Sequence, residues 1–282
     1  MSKRPDLPYW RSLFRLRTAL PSDHGSWVFL LSPLLIGLFA SGRLTAASSL
    51  LTIGLLAAFL LRQPVTIAVK VHSGRRSHAE LPAARFWILV YSIISLSAFT
   101  GLLLWGNTYL LYLAIPGLVV FAWHLWLVSR RQERRKPGVE ILGSGVLALS
   151  APAAYWVGRG VLEPTGWLLF GLAWMQSAAS IVYAYLRLEQ RELKSLPALP
   201  RRLQMARRAL LYTSFNLLVT IGLATFKQVP VFLFIPYAIQ WIESIYGALR
   251  PAIGVKPTRI GLRQLAISTL FTICFILIWS AN

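Results

Sequence analysis

The sequence predicts an all-α, polytopic transmembrane helical bundle of about nine spans, and three observations predict it. Hydrophobic residues make up 56% of the 282-residue chain against 13% charged, with a mean hydropathy of +0.59, a balance suited to lipid rather than water. Apolar runs of about 17 to 25 residues recur along it, the length a helix needs to cross a hydrocarbon core of roughly 30 Å. Lys and Arg gather in the short segments between alternate runs, as loops on the cytoplasmic side of a membrane do.

Residues 1–23 read as a basic cytoplasmic arm and residues 24–282 as the transmembrane domain. The first apolar run follows that arm and is itself followed by further runs, so no cleavable signal peptide is expected and the run remains as the first span. The spans are expected near 24–41, 44–66, 85–105, 107–128, 138–158, 164–186, 209–226, 229–248 and 263–281. Ser41, Gly42 and Arg43 separate the first two, Gly106 and Asn107 turn the chain between the third and fourth, and Pro64 is expected to bend or end the second. Trp27, Trp87, Trp105, Trp126, Trp156, Trp167 and Trp279 fall near run ends, where an amphipathic ring suits the headgroup level. The longest polar stretches, 1–23 and 187–208, are too short to bury a core of their own, so function must lie in the bundle or its loops. The single Cys274 lies in the last run and excludes both a disulfide framework and a cysteine metal site.

If successive spans alternate, one side receives the arm and the loops near 67–84, 129–137, 187–208 and 249–263. With Arg85 at the edge of the first of these loops, they hold 25 of the 29 Lys and Arg residues; Arg43, Arg159 and Lys227 fall opposite and Arg62 lies within a run. That bias predicts the N-terminus in the cytoplasm and the C-terminus outside. It also accounts for the net charge of +20 without nucleic acid, which is not expected as a partner.

Ionisable groups inside spans are costly and usually face a bundle interior or a wet cavity. His24 opens span 1, Arg62 and Gln63 end span 2, His124 ends span 4, Glu140 begins span 5, and Gln240 and Glu243 lie late in span 8. With alternating direction all fall in the cytoplasmic half, and only Asn216 lies deeper. Gln176, Ser180, Tyr183 and Arg187 recur at i, i+4, i+7 and i+11, a single stripe on span 6. Such a stripe either lines a polar pocket or bonds neighbouring helices. Glu243 needs a buried partner, and Arg62 is the partner type expected. Lys70, His72, Arg75 and Arg76 give the loop after span 2 a surface compatible with phosphate, unless they are only topology signals.

The chain has no G-x-x-x-x-G-K-S/T, H-E-x-x-H, C-x-x-C or G-x-S-x-G, which argues against ATP-driven transport by this chain and common hydrolase chemistry. No paired aspartates stand in any loop, so neither a magnesium site nor another metal or cofactor is expected.

Residues 21–27, P-S-D-H-G-S-W, with A-F-L-L-R-Q-P at 58–64 and the S-x-x-Y-x-x-x-R-L pattern from Ser180 to Leu188, resemble motifs of the YwiC-like family of bacterial membrane proteins. That resemblance implies the bacterial cytoplasmic membrane and no settled activity. The nine-span plan, with polar segments after spans 2 and 6, is also similar to the UbiA superfamily of intramembrane prenyltransferases, whose aspartate-rich motifs hold magnesium and a prenyl diphosphate at those places. Here those aspartates are absent. The similarity therefore implies a membrane lipid or isoprenoid as partner, held without metal by Arg62, Lys70, Arg75, Arg187 and Arg191, with His24, Gln63, Gln176, Ser180, Tyr183 and Glu243 shaping the pocket. Small-solute or ion transport, and assembly of partner membrane proteins, are the alternatives.

Overall fold

The computed structural model describes residues 14, 16–21, 24–131 and 137–281, so most of the expected N-terminal arm and residues 132–136 lie outside the described residues. Among the described residues there is no strand. The helices are α1 (Leu16–Ala19), α2 (His24–Ala40), α3 (Ala46–His72), α4 (Leu81–Leu104), α5 (Leu110–Ser129), α6 (Pro137–Ala148), α7 (Ser150–Arg159), α8 (Pro164–Gln190), α9 (Leu199–Thr225), α10 (Phe234–Leu249) and α11 (Pro257–Ser280). Each of the nine expected spans coincides with a helix, one of them divided into α6 and α7. Pro152 explains the division: it has no N–H and its ring crowds the carbonyl four residues earlier, so the helix breaks at Leu149.

Seven of these segments among the described residues are long and apolar enough to cross a membrane: Ala46–His72, His78–Leu104, Leu110–Ser129, Pro137–Arg159, Pro164–Gln190, Val231–Leu249 and Pro257–Ser280. The chain is thus a multi-pass membrane protein by the length and composition of its helices. Ser26–Ala40 is a shorter apolar helix. α9 is not among the seven because Arg201, Arg202, Arg207 and Arg208 occupy its first half; the span expected at 209–226 is its apolar second half.

The chain divides into two compact units, residues 1–23 with 46–135 and residues 24–45 with 136–282. In the first, α3 and α4 form an antiparallel hairpin. Gly54 faces the Ala98 methyl and Gly101 faces Leu50, and Ile67, Val71 and Ala84 close the other end of the pair. α3 passes through Pro64 without ending and continues to His72, six residues beyond the expected span. It stops where Gly74, at φ +69°, lets the Arg75 N–H reach the Lys70 carbonyl at 2.8 Å, a turn that satisfies the last carbonyls. α1 lies against this hairpin, the Tyr91 hydroxyl donating to the Ala19 carbonyl at 3.1 Å.

The second unit gathers α2 and α6–α11. Small residues let its helices approach: a Cβ on Gly37 would strike the backbone of Ala151, one on Gly158 the Ser41 side chain, and one on Gly166 the Trp156 indole. Trp156, one of the rings near a run end, faces protein rather than lipid. It is 1% exposed, and its Nε1 donates to the Glu163 carbonyl at 2.8 Å, so it pins the α7–α8 turn instead.

Candidate functional site

Within the second unit, α8 and α10 run parallel and α11 antiparallel to both, so that their polar residues meet in register. Along α8 and α10 the Tyr237 hydroxyl donates to the Leu172 carbonyl (2.9 Å), Gln240 Nε2 to the Gln176 carbonyl (3.1 Å) and the Tyr183 hydroxyl to Glu243 Oε1 (2.9 Å). Along α8 and α11 the order reverses: Gln176 Nε2 donates to Ser268 Oγ (3.4 Å) and Ser180 Oγ to Gln264 Oε1 (3.1 Å). The stripe Gln176, Ser180, Tyr183 and Arg187 therefore meets a second one on α10, Gln240, Glu243, Ser244 and Gly247, which share a helix face at i, i+3, i+4 and i+7. α9 adds Asn216, whose Nδ2 donates to the Met175 carbonyl at 2.7 Å.

Glu243 is the electrostatic centre. Its side chain is 8% exposed and is met by a bidentate guanidinium, Arg263 Nε at 2.6 Å from Oε1 and Nη2 at 2.7 Å from Oε2. The partner expected from sequence was Arg62; the partner found is Arg263, at the start of the last expected span. Arg263 also lies over the Tyr246 ring, 4.3 Å from its centroid, with Arg250 at 5.7 Å from the same ring.

Arg187 has a different task. Its Nη1 donates to Gln190 Oε1 (3.0 Å), the Gly247 carbonyl (3.2 Å) and the Arg250 carbonyl (2.7 Å), while Gln190 Nε2 reaches the Gly247 carbonyl (3.0 Å) and Arg202 Nη1 the Leu249 carbonyl (2.8 Å). The last carbonyls of a helix have no partner within it and carry partial negative charge. Arg187, Gln190 and Arg202 fill that role for α10. Gly247 lets the Tyr183 ring pack against α10, since a Cβ there would lie 2.5 Å from the Tyr183 hydroxyl.

Beyond this cap, the loop into α11 forms a cavity of about 680 Å³ lined by Ile253, Gly254, Val255, Lys256, Thr258, Arg259 and Leu262. Lys256 and Arg259, two of its lining residues, are exposed, and the Gly254 N–H bonds the Arg191 carbonyl at 3.2 Å, tying the loop to the end of α8. From sequence, Lys256, Arg259 and Arg263 count only as topology signals. Their spacing of i, i+3 and i+7 at the opening of the last apolar run is the one sign there that they share a face.

The remaining candidates divide by unit. In the first, Gln63 Nε2 donates to the Arg17 carbonyl (3.2 Å), Arg75 Nη2 donates to the Val128 carbonyl at the end of α5 (2.6 Å), and Lys70 and Arg62 lie half-buried on α3. In the second, α2 begins at His24, whose side chain lies outside the described residues, and Arg191 is half-buried at the end of α8. Among the described residues no three His, Cys, Asp or Glu stand together where they could hold a metal ion.

Compared with known proteins, residues 20–155 match the family model described as YwiC-like protein. The chain is 25% identical over 155 residues to "Uncharacterized protein YwiC" of Bacillus subtilis (strain 168), an alignment covering 55% of this chain and 61% of that protein. No solved structure matches. The stripes of α8, α10 and α11 and the cavity beyond them lie on the C-terminal side of the family match.

Proposed function

We propose, from the premise that this membrane protein is YwiC-like over residues 20–155, that it binds a lipid or isoprenoid through an anionic headgroup at the cavity where α10 passes into α11. A single observation carries this reading: Lys256 and Arg259 line one open cavity together with Ile253, Val255 and Leu262. Cations beside an apolar wall match a ligand with a phosphate at one end and hydrocarbon at the other. Guanidinium and ammonium groups hold phosphate oxygens directly, so magnesium is not required. In this reading the basic end of the unit faces the cytoplasm, and the plan is that of a UbiA-like bundle without its aspartates.

Arg187 is committed to the α10 carbonyls, and in this reading Lys256 and Arg259 take the anion contacts that the sequence assigned to Arg62, Lys70, Arg75, Arg187 and Arg191. The test is native mass spectrometry of the protein purified with endogenous lipid, with and without chelator. Wild type is expected to retain an anionic lipid or isoprenoid phosphate whether or not chelator is present. Each of Lys256→Gln and Arg259→Gln is expected to lower retention about fivefold, the equivalent of about 1 kcal/mol per cation. Retention by both variants equal to that of wild type, or dependence on magnesium, rejects the site.

A further inference from the structure

Two buried polar atoms on the inner stripe of α10 have no protein partner: Gln240 Oε1 and Ser244 Oγ, in residues 6% and 0% exposed. They belong to residues one turn apart on the face that also carries Glu243. The orientation of the Gln240 amide is fixed, because its Nε2 donates to the Gln176 carbonyl, which can only accept. Gln240 Oε1 must therefore find a donor elsewhere.

Ser244 differs from the other buried hydroxyls of this unit. Ser177, Thr213, Thr220 and Thr272 each donate to the carbonyl four residues back, at 3.0, 2.9, 2.7 and 2.8 Å, and so satisfy themselves within their helices. Ser244 makes no such bond. An acceptor and a hydroxyl without partners on successive turns of one buried helix face are costly, and buried polar groups of this kind are ordinarily completed by an ordered guest.

The surroundings select the guest. Gln240 Oε1 offers only lone pairs, which repel an anion. Two neutral oxygens are too few to hold a cation against Arg263 beside Glu243 and Arg187 a turn beyond. What remains is a small neutral molecule that both donates and accepts.

We propose that the α8–α10 seam contains an internal water site, in which one water donates to Gln240 Oε1 and exchanges a hydrogen bond with Ser244 Oγ. The site lies on the Glu243 stripe. This gives the unpartnered atoms a role that neither the family likeness nor the headgroup cavity supplies.

The experiment is an experimental density map of the wild-type protein in lipid nanodiscs, fine enough to show ordered water. Density of water size within hydrogen-bond distance of both Gln240 Oε1 and Ser244 Oγ is the expected result. The proposal is overturned if both atoms bond protein groups directly, or if the density belongs to an alcohol or other organic ligand. Melting of Gln240→Met, Ser244→Ala and the double variant provides a second measurement. A shared water predicts that the double variant loses less than the sum of the two single losses, whereas additive losses count against it.

Discussion

Glu243 illustrates what one residue can and cannot reveal. A carboxylate two turns inside an apolar run requires a partner, and the requirement is legible in the sequence because an unpaired charge at that depth is expensive. Which cation answers depends on where two helices cross, and the chain brings Arg263, twenty residues later, rather than Arg62. Glu243→Leu is expected to lower stability in detergent by about 1 to 3 kcal/mol, at or below the value for a fully buried pair because the Arg263 side chain is 42% exposed. Glu140→Leu serves as the contrast, since Glu140 is exposed and accepts a hydrogen bond from the Tyr185 hydroxyl at the surface. Thermal unfolding of the two variants side by side checks this, and equal losses would remove Glu243 from the centre of the network.

At the scale of the element, the helices follow from apolar periodicity, but their contacts follow from small residues. Gly37 of α2 and Gly171 of α8 look alike in sequence, each a glycine within an apolar helix. A Cβ at Gly37 would strike the Ala151 backbone, whereas at Gly171 nothing lies within 4 Å. Gly37→Ala is accordingly expected to cost about 1 to 3 kcal/mol through overpacking. Gly171→Ala is expected to be neutral or to stabilise by up to about 1 kcal/mol, because alanine is the better helix former. Comparing the melting of the two variants distinguishes packing from propensity. The polar stripe of α8 was legible by the same periodicity, although its two readings, pocket lining and interhelical bonding, were not separable until α10 and α11 supplied the facing groups.

For the whole molecule, the alternation of basic and neutral loops predicts that the N-terminal arm and the loop after α3 share the cytoplasmic side while the end of α11 lies opposite. In a Cys274→Ser background, cysteines placed at Ser77 and Ala281 should react with an impermeant reagent from opposite faces of sealed vesicles. Reaction from one face would require an even number of crossings. The sequence by itself determined that the chain is helical and membrane-spanning, where its helices lie and which segments are basic, because hydropathy, helical period and charge are properties of neighbouring residues. Only the tertiary structure decided that Arg263 neutralises Glu243, that Arg187 caps α10, that Trp156 is buried against the α7–α8 turn, and that Lys256 and Arg259 line one cavity. These depend on helices remote in sequence meeting at particular faces, and a helix's own period reports which face is polar without naming the helix that will meet it.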